Sequence, residues 1–163
     1  MAEVEDMIPR EFLGAVIGSN VVSLGLVLLA IRWPRLARVL FALIFLGAGV
    51  FNLTMAVRDP EVYLVYARWA VDLYRRFILG AFSQHTTAIV AAIALGQVTV
   101  GVLLAVNRRF LWLGVAGGIV FLLAIAPLGV GSAFPSTLLM AVALYLMWRR
   151  LGGGKLPSPA RVT

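Results

Sequence analysis

The sequence predicts an all-α, polytopic membrane helical bundle: five transmembrane helices with one interfacial amphipathic helix. Three observations carry that expectation. Of 163 residues, 62% are hydrophobic and only 13% charged, whereas soluble domains are about half apolar and a quarter charged. The charges gather in short clusters, and the apolar runs between them contain no Asp, Glu, Lys or Arg. All seven acids (Glu3, Glu5, Asp6, Glu11, Asp59, Glu61 and Asp72) can be placed on one side of a membrane.

The elements follow in order. The stretch 1–7 carries three acids and no base, the wrong charge for the start of a secretory signal. The first apolar run, 12–31, is therefore expected to be retained as a span. A basic turn at 32–38 contains Pro34, which marks the break before a second span over 39–57. Each run holds roughly 20 residues, enough to cross about 30 Å of hydrocarbon.

The stretch 58–85 has a different character. Pro60 suits the first turn of a helix. Val62, Val65, Tyr66, Trp69, Leu73 and Phe77 recur at helical spacing, and Arg68, Asp72, Arg75 and Arg76 gather on another face. An interfacial helix over 60–82 is predicted, one that also packs over the bundle mouth. A third span covers 86–106. Phe110 to Trp148 then runs 39 residues without a charge, too long for one crossing. Pro127, Gly129, Gly131 and Pro135 supply a turn, giving spans over 110–126 and 132–148. Residues 151–163 read as a flexible cytoplasmic tail.

Basic residues set the orientation. With the 32–38 turn, the 107–109 turn and the tail in the cytoplasm, that side holds nine Lys or Arg against five opposite. The expected topology is N-out and C-in, in the plasma membrane. The net charge of +7 is explained by these flanking clusters, so no nucleic-acid partner is expected. With no cysteine, thiolate metal sites and thiol relays are excluded.

Chemistry within the spans is limited to neutral groups. An intramembrane carboxylate, the usual proton-carrier device, is missing from every run. Asn52 and Gln97 sit mid-span, where an amide needs a partner. They either pair with one another as helix–helix glue or line a small polar pocket, and Asn20 is a further candidate to join them. His85, the only histidine, lies at the outer end of the third span. It reads either as a quinone hydrogen-bond partner or lone metal or haem ligand, or more plainly as an interfacial histidine starting a helix. A second histidine for a haem or zinc site is missing, so no metal or haem site is expected. Small residues recur four apart at Gly14/Gly18, Ala88/Ala92/Gly96 and Gly114/Gly118, permitting close helix contact within the chain or between copies.

From Arg38 to Arg150 the chain resembles the DoxX-like group of small four-helix membrane proteins. The run 38–49, RVLFALIFLGAG, is similar to that family's opening helix. The run 92–104, AIALGQVTVGVLL, resembles its second helix, where an acidic residue is usual and Gln97 stands here instead. The resemblance implies a four-helix core with one added N-terminal helix. It also implies a link to quinol-oxidising or oxidoreductase assemblies, often as a non-catalytic membrane subunit.

The leading expectation is an accessory, non-catalytic subunit of a redox-linked, quinone-associated membrane complex, with the lipid bilayer and partner subunits or a second copy as partners. The alternative is a small-molecule transporter or quinone- or lipid-binding protein using Asn52, Gln97 and His85. A self-contained enzyme is not expected, because the sequence offers no constellation of acid, base, nucleophile or metal ligands.

Overall fold

The computed structural model describes residues 10–106 and 108–153. Among these every regular element is a helix, with no strand. The acidic cluster Glu3, Glu5 and Asp6, and the expected tail beyond 153, lie outside the described residues.

Helix α1 (Arg10–Arg32) and helix α2 (Pro34–Arg58) are joined through Trp33 alone. Proline is well tolerated in a first helical turn, where its missing N–H would have no intrahelical partner. The second helix therefore starts at Pro34, five residues before the apolar run itself. Polar groups on α1 are satisfied on their own helix. Ser19 Oγ and Asn20 Nδ2 both donate to Val16 O, and Ser23 Oγ donates to Ser19 O. Asn20 thus makes its bond locally instead of reaching toward Asn52 or Gln97.

After α2 the backbone changes character. Pro60–Arg68 winds as a 3-10 helix and breaks at Trp69–Val71. Helix α3 (Asp72–Phe77) follows and runs into a π-helical turn over Ile78–Phe82. The region expected as one amphipathic helix over 60–82 is thus three short pieces. Its buried residues are Tyr63, Ala67, Ile78 and Phe82, while Val62, Leu73 and Phe77 of the expected apolar stripe are exposed. The reason is geometric: a 3-10 turn repeats every three residues, and the break at 69–71 resets the phase. The same break puts Arg68 and Asp72 in different segments.

Helix α4 (Thr86–Ala105) and helix α5 (Leu111–Ile125) run in opposite directions. A 3-10 stretch, Ala126–Ser132, leads to helix α6 (Ser136–Arg150). Among the described residues, four stretches are long and apolar enough to cross a membrane: Leu13–Arg32, Pro34–Arg58, Thr86–Ala105 and Leu111–Ser132. Helix α6 has 15 residues, about 22 Å at ~1.5 Å per residue, against roughly 30 Å of hydrocarbon. The fifth expected span is accordingly a short helix, because residues 126–135 are spent on the connection.

Helices α2 and α4 pack most closely. A Cβ on Gly49 would lie 2.7 Å from Val98 Cγ2, and one on Gly101 would lie 2.7 Å from Leu46 Cγ. Gly118 approaches Leu144 and Phe45 in the same way, and Gly114 meets Leu104. Gly14, Gly18 and Gly96 meet nothing within 4 Å. Of the three small-residue stripes, only Gly114/Gly118 seats a neighbouring helix of this chain, and Gly49 and Gly101, which let α2 and α4 approach, belong to none of them. The main core joins Phe41, Phe45, Leu104, Leu144 and Met147. A smaller cluster of Ala56, Tyr63, Ala67, Ile78, Phe82 and Val90 lies under the 60–82 segment.

Two polar devices fix the ends. Arg38 donates from Nε to Leu104 O, and from a terminal nitrogen to Ala105 O at 3.2 Å and Val106 O at 2.8 Å. One guanidinium therefore satisfies three carbonyls that the end of α4 leaves open. At the end of α6, Gly152 N donates to Arg149 O and Gly153 N to Trp148 O. Gly152 has φ of 90°. This is a Schellman ending, in which glycine takes the left-handed position without a Cβ penalty.

Candidate ligand cavity

A cavity of about 500 Å³ opens between α2, α4, α5, the start of α6 and the 60–82 segment. Its wall is mostly aliphatic and aromatic, with Phe45, Phe77, Phe82, Ile93, Phe121 and Leu128 among the lining residues. A few polar groups interrupt it, which is the usual composition of a small-molecule site.

The polar groups form one ordered chain. Tyr63 O–H donates to Asn52 Oδ1 at 2.9 Å, and Asn52 Nδ2 donates to Gln97 Oε1 at 2.7 Å. Helix α2 supplies Asn52, α4 supplies Gln97, and the 3-10 turn brings Tyr63 across both. Gln97 is buried and lines the cavity with Asn52 and Tyr63. Every donation runs toward Gln97, whose Oε1 is occupied. Its amide N–H groups donate to no acceptor among the described residues and remain available to a guest.

A second polar point lies on α6. Thr137 is 3% exposed and lines the same cavity. Its Oγ1 is buried without any hydrogen-bond partner. Helical threonines commonly satisfy themselves on a preceding carbonyl, as Thr86 does on Phe82 O and Thr99 on Leu95 O. An unpaired buried hydroxyl costs about 1–3 kcal/mol, so Thr137 stands out.

The walls stay neutral. Burial pushes the Tyr63 phenol up, with a smaller contribution from neighbouring Tyr66, and burial also pushes Tyr66 up. None of the lining residues is Asp, Glu, Lys, Arg or His. A charged guest would find no counter-charge there.

Long-range contacts tie the 60–82 segment to the end of α5 and the turn after it. Val71 N donates to Pro127 O at 3.1 Å, and Tyr74 O–H donates to Ala124 O at 2.8 Å. Gly129 has φ of 63°, and a Cβ there would sit 2.6 Å from Trp69 O. Of the lining residues, Phe77 on α3, Ile93 on α4 and Ala124 on α5 are exposed. These three mark an exposed rim where α3, α4 and α5 border the cavity.

The sequence-predicted residues divide clearly. Asn52 and Gln97 are brought into contact and line the cavity. His85 does not line it. It is exposed at the start of α4, with Nδ1 3.3 Å from Ala81 O. Among the described residues no cluster of His, Asp or Glu could hold a metal ion. Tyr63 and Thr137 are not marked by the sequence pattern, which places Tyr66 only on the stripe of the interfacial helix. The useful signal for Tyr63 is the unmet need of Asn52 for a partner. No family model matches the chain, and no curated protein or solved structure shows significant similarity to it.

Proposed function

We propose that this chain is a multi-pass membrane protein that holds one neutral, largely apolar small molecule, quinone-like or lipid-like, in the cavity between α2, α4 and α5. The observation that carries the reading is the pairing of a directed donor chain ending at Gln97 with the unpartnered hydroxyl of Thr137. Both polar points border an apolar volume of about 500 Å³, large enough for a ring or branched lipid portion. A guest with an oxygen acceptor would meet the Gln97 amide, and a second oxygen function would satisfy Thr137. The groups are neutral, so binding would not require proton uptake.

The same proposal includes a fifth crossing by α6, with N-out, C-in orientation in the plasma membrane. Arg150 at the end of α6 shares a concavity with Arg32 and Arg35, which supports a return to the end where α1 finishes. The 60–82 segment then lies at the outer interface as a cap, with Val71, Leu73 and Leu79 directed outward.

The test is to titrate a short-chain quinone and a neutral diacylglycerol separately into purified protein in mild detergent. Saturable one-to-one binding of either, weakened at least tenfold by Gln97→Leu, is expected. Absence of saturable binding of both, or unchanged affinity in the variant, removes the reading.

An accessory-subunit role, linked to the DoxX-like resemblance, is the second reading. It is favoured by α1, whose Leu13, Ile17, Val21 and Val22 are exposed beside the open Gly14 and Gly18. Stoichiometric partners retained on purification from native membrane would support it; a lone monomer would remove it.

A further inference from the structure

Arg32, Arg35 and Arg150 surround a concavity of about 680 Å³ at the end of the bundle opposite the ligand cavity, with Trp33 and Leu151 in its wall. The three arginines come from the end of α1, the start of α2 and the end of α6, so folding creates the cluster. A second concavity of about 410 Å³ adjoins it, bordered by Val39, Leu43 and Leu46. Arg35 and Leu151 belong to both walls. The Schellman ending of α6 fixes the backbone at Leu151, and therefore the wall between the two.

Among the described residues, the segments that form this end carry no acid. The segments 32–38, 107–109 and 149–163, which meet or follow this end, contain no Asp or Glu. Arg38 is different from its neighbours, because its guanidinium is committed to the carbonyls ending α4. Arg32 stacks toward the Trp33 ring at 5.9 Å, a contact that leaves its N–H groups free to meet an anion. Arginine is suited to that partner, since its planar fork matches phosphate oxygens in pairs.

Val39, Leu43 and Leu46 follow one face of α2 away from the arginines. Val39 and Leu43 are more than half exposed. A basic cup that opens into an apolar groove along a membrane helix matches one molecular shape: an anionic head on a hydrocarbon chain.

We infer that this end of the protein is a binding site for an anionic phospholipid, with its phosphate between Arg32, Arg35 and Arg150 and an acyl chain along Val39, Leu43 and Leu46. The inference requires a membrane-embedded bundle and is independent of what occupies the cavity at the other end.

The experiment is native mass spectrometry of delipidated protein in mixed micelles containing equal phosphatidylglycerol and phosphatidylcholine. The wild type is expected to retain phosphatidylglycerol preferentially. Arg32→Gln with Arg35→Gln should lower that preference by about fivefold per guanidinium removed. Arg109→Gln with Arg149→Gln removes the same charge at the same end outside the cup, and should preserve the preference. Leu43→Trp, which fills the groove, should lower retention of both lipids. Glycerol phosphate, a head without chains, should not compete.

Gln97→Leu should leave the lipid preference intact even where it abolishes binding in the cavity, which separates the two sites. Equal retention of both lipids by the wild type overturns the inference, as does an equal loss in the Arg109/Arg149 control. Competition by glycerol phosphate would replace the lipid with a free anion. If the double cup variant does not fold, Arg35→Gln alone carries the test, and an unchanged preference there is equally decisive.

Discussion

Asn52 and Gln97, 45 residues apart in the chain, share a 2.7 Å hydrogen bond between the two most closely packed helices. The bond uses the amide oxygen of Gln97 and leaves its N–H groups facing the cavity. Replacing Asn52 by Leu removes the side-chain acceptor of Tyr63 and the donor to Gln97 together, leaving Tyr63 only the longer contact to the Asn52 carbonyl at 3.3 Å. A destabilisation of about 1–3 kcal/mol is expected, read as a lowered midpoint of thermal unfolding in detergent. Tyr63→Phe should cost less, because the Asn52–Gln97 bond survives it.

Thr137→Val keeps the shape of the side chain and deletes a hydroxyl that no protein group satisfies. The empty protein should become slightly more stable, by up to about 1 kcal/mol. Binding of an oxygen-bearing guest should weaken in the same variant. A loss of stability without a guest would mean that the hydroxyl is already satisfied.

Arg38→Gln removes the clamp on Leu104, Ala105 and Val106. The side chain is partly exposed, so the expected cost is at the lower end for charged hydrogen bonds, about 1–2 kcal/mol. Hydrogen exchange should rise around the α4–α5 connection and remain unchanged near Asn52. Uniform exchange across both regions would contradict a local clamp.

Glycine substitutions should separate packing from lipid exposure. Gly101→Val drives a side chain into Leu46 and the Ala42 carbonyl, and overpacking of this kind costs roughly 1–3 kcal/mol. Gly18→Ala meets open space and should be neutral or favourable to the helix. Any change in oligomeric state caused by Gly18→Leu would favour the accessory-subunit reading, because a Cβ there meets nothing within 4 Å among the described residues.

The pH response follows from the buried phenols. Tyr63 and Tyr66 are raised above the ordinary value of 10.0. In the folded protein they keep their protons after unfolded tyrosines begin to lose theirs. Their contribution to stability is complete below about pH 10 and is lost as pH rises through the raised folded values. Thermal midpoints should show no tyrosine-dependent change between about pH 6 and 9, then fall at higher pH. Tyr66→Phe should reduce that alkaline fall.

Much of the architecture is legible in the sequence because lipid penalises charge. Arg32, Arg58, Arg108 and Arg149 bound the apolar runs, and the helices begin or end within a few residues of them. Asn52 and Gln97 are legible for the same reason, as a pair or as pocket lining, because a mid-span amide needs a partner. The 60–82 segment is less legible. Its break at Trp69–Val71 is set by Pro127 and Gly129, distant in sequence, and no local periodicity reports such contacts. Gly49 and Gly101 lie on different helices, so a search for glycines four apart misses them. Thr137 is hidden for a related reason. Whether a hydroxyl is satisfied depends on its neighbours in space, and the sequence presents it as one more threonine at a helix start.

The rim of the cavity has a further consequence for how a guest would be supplied. In the proposed membrane placement, the exposed lining residues Phe77, Ile93 and Ala124 would open the cavity sideways, toward the acyl chains. The relevant reservoir is then the two-dimensional pool within the membrane. Occupancy would follow the guest's mole fraction among lipids, and a molecule almost insoluble in water could still saturate the site.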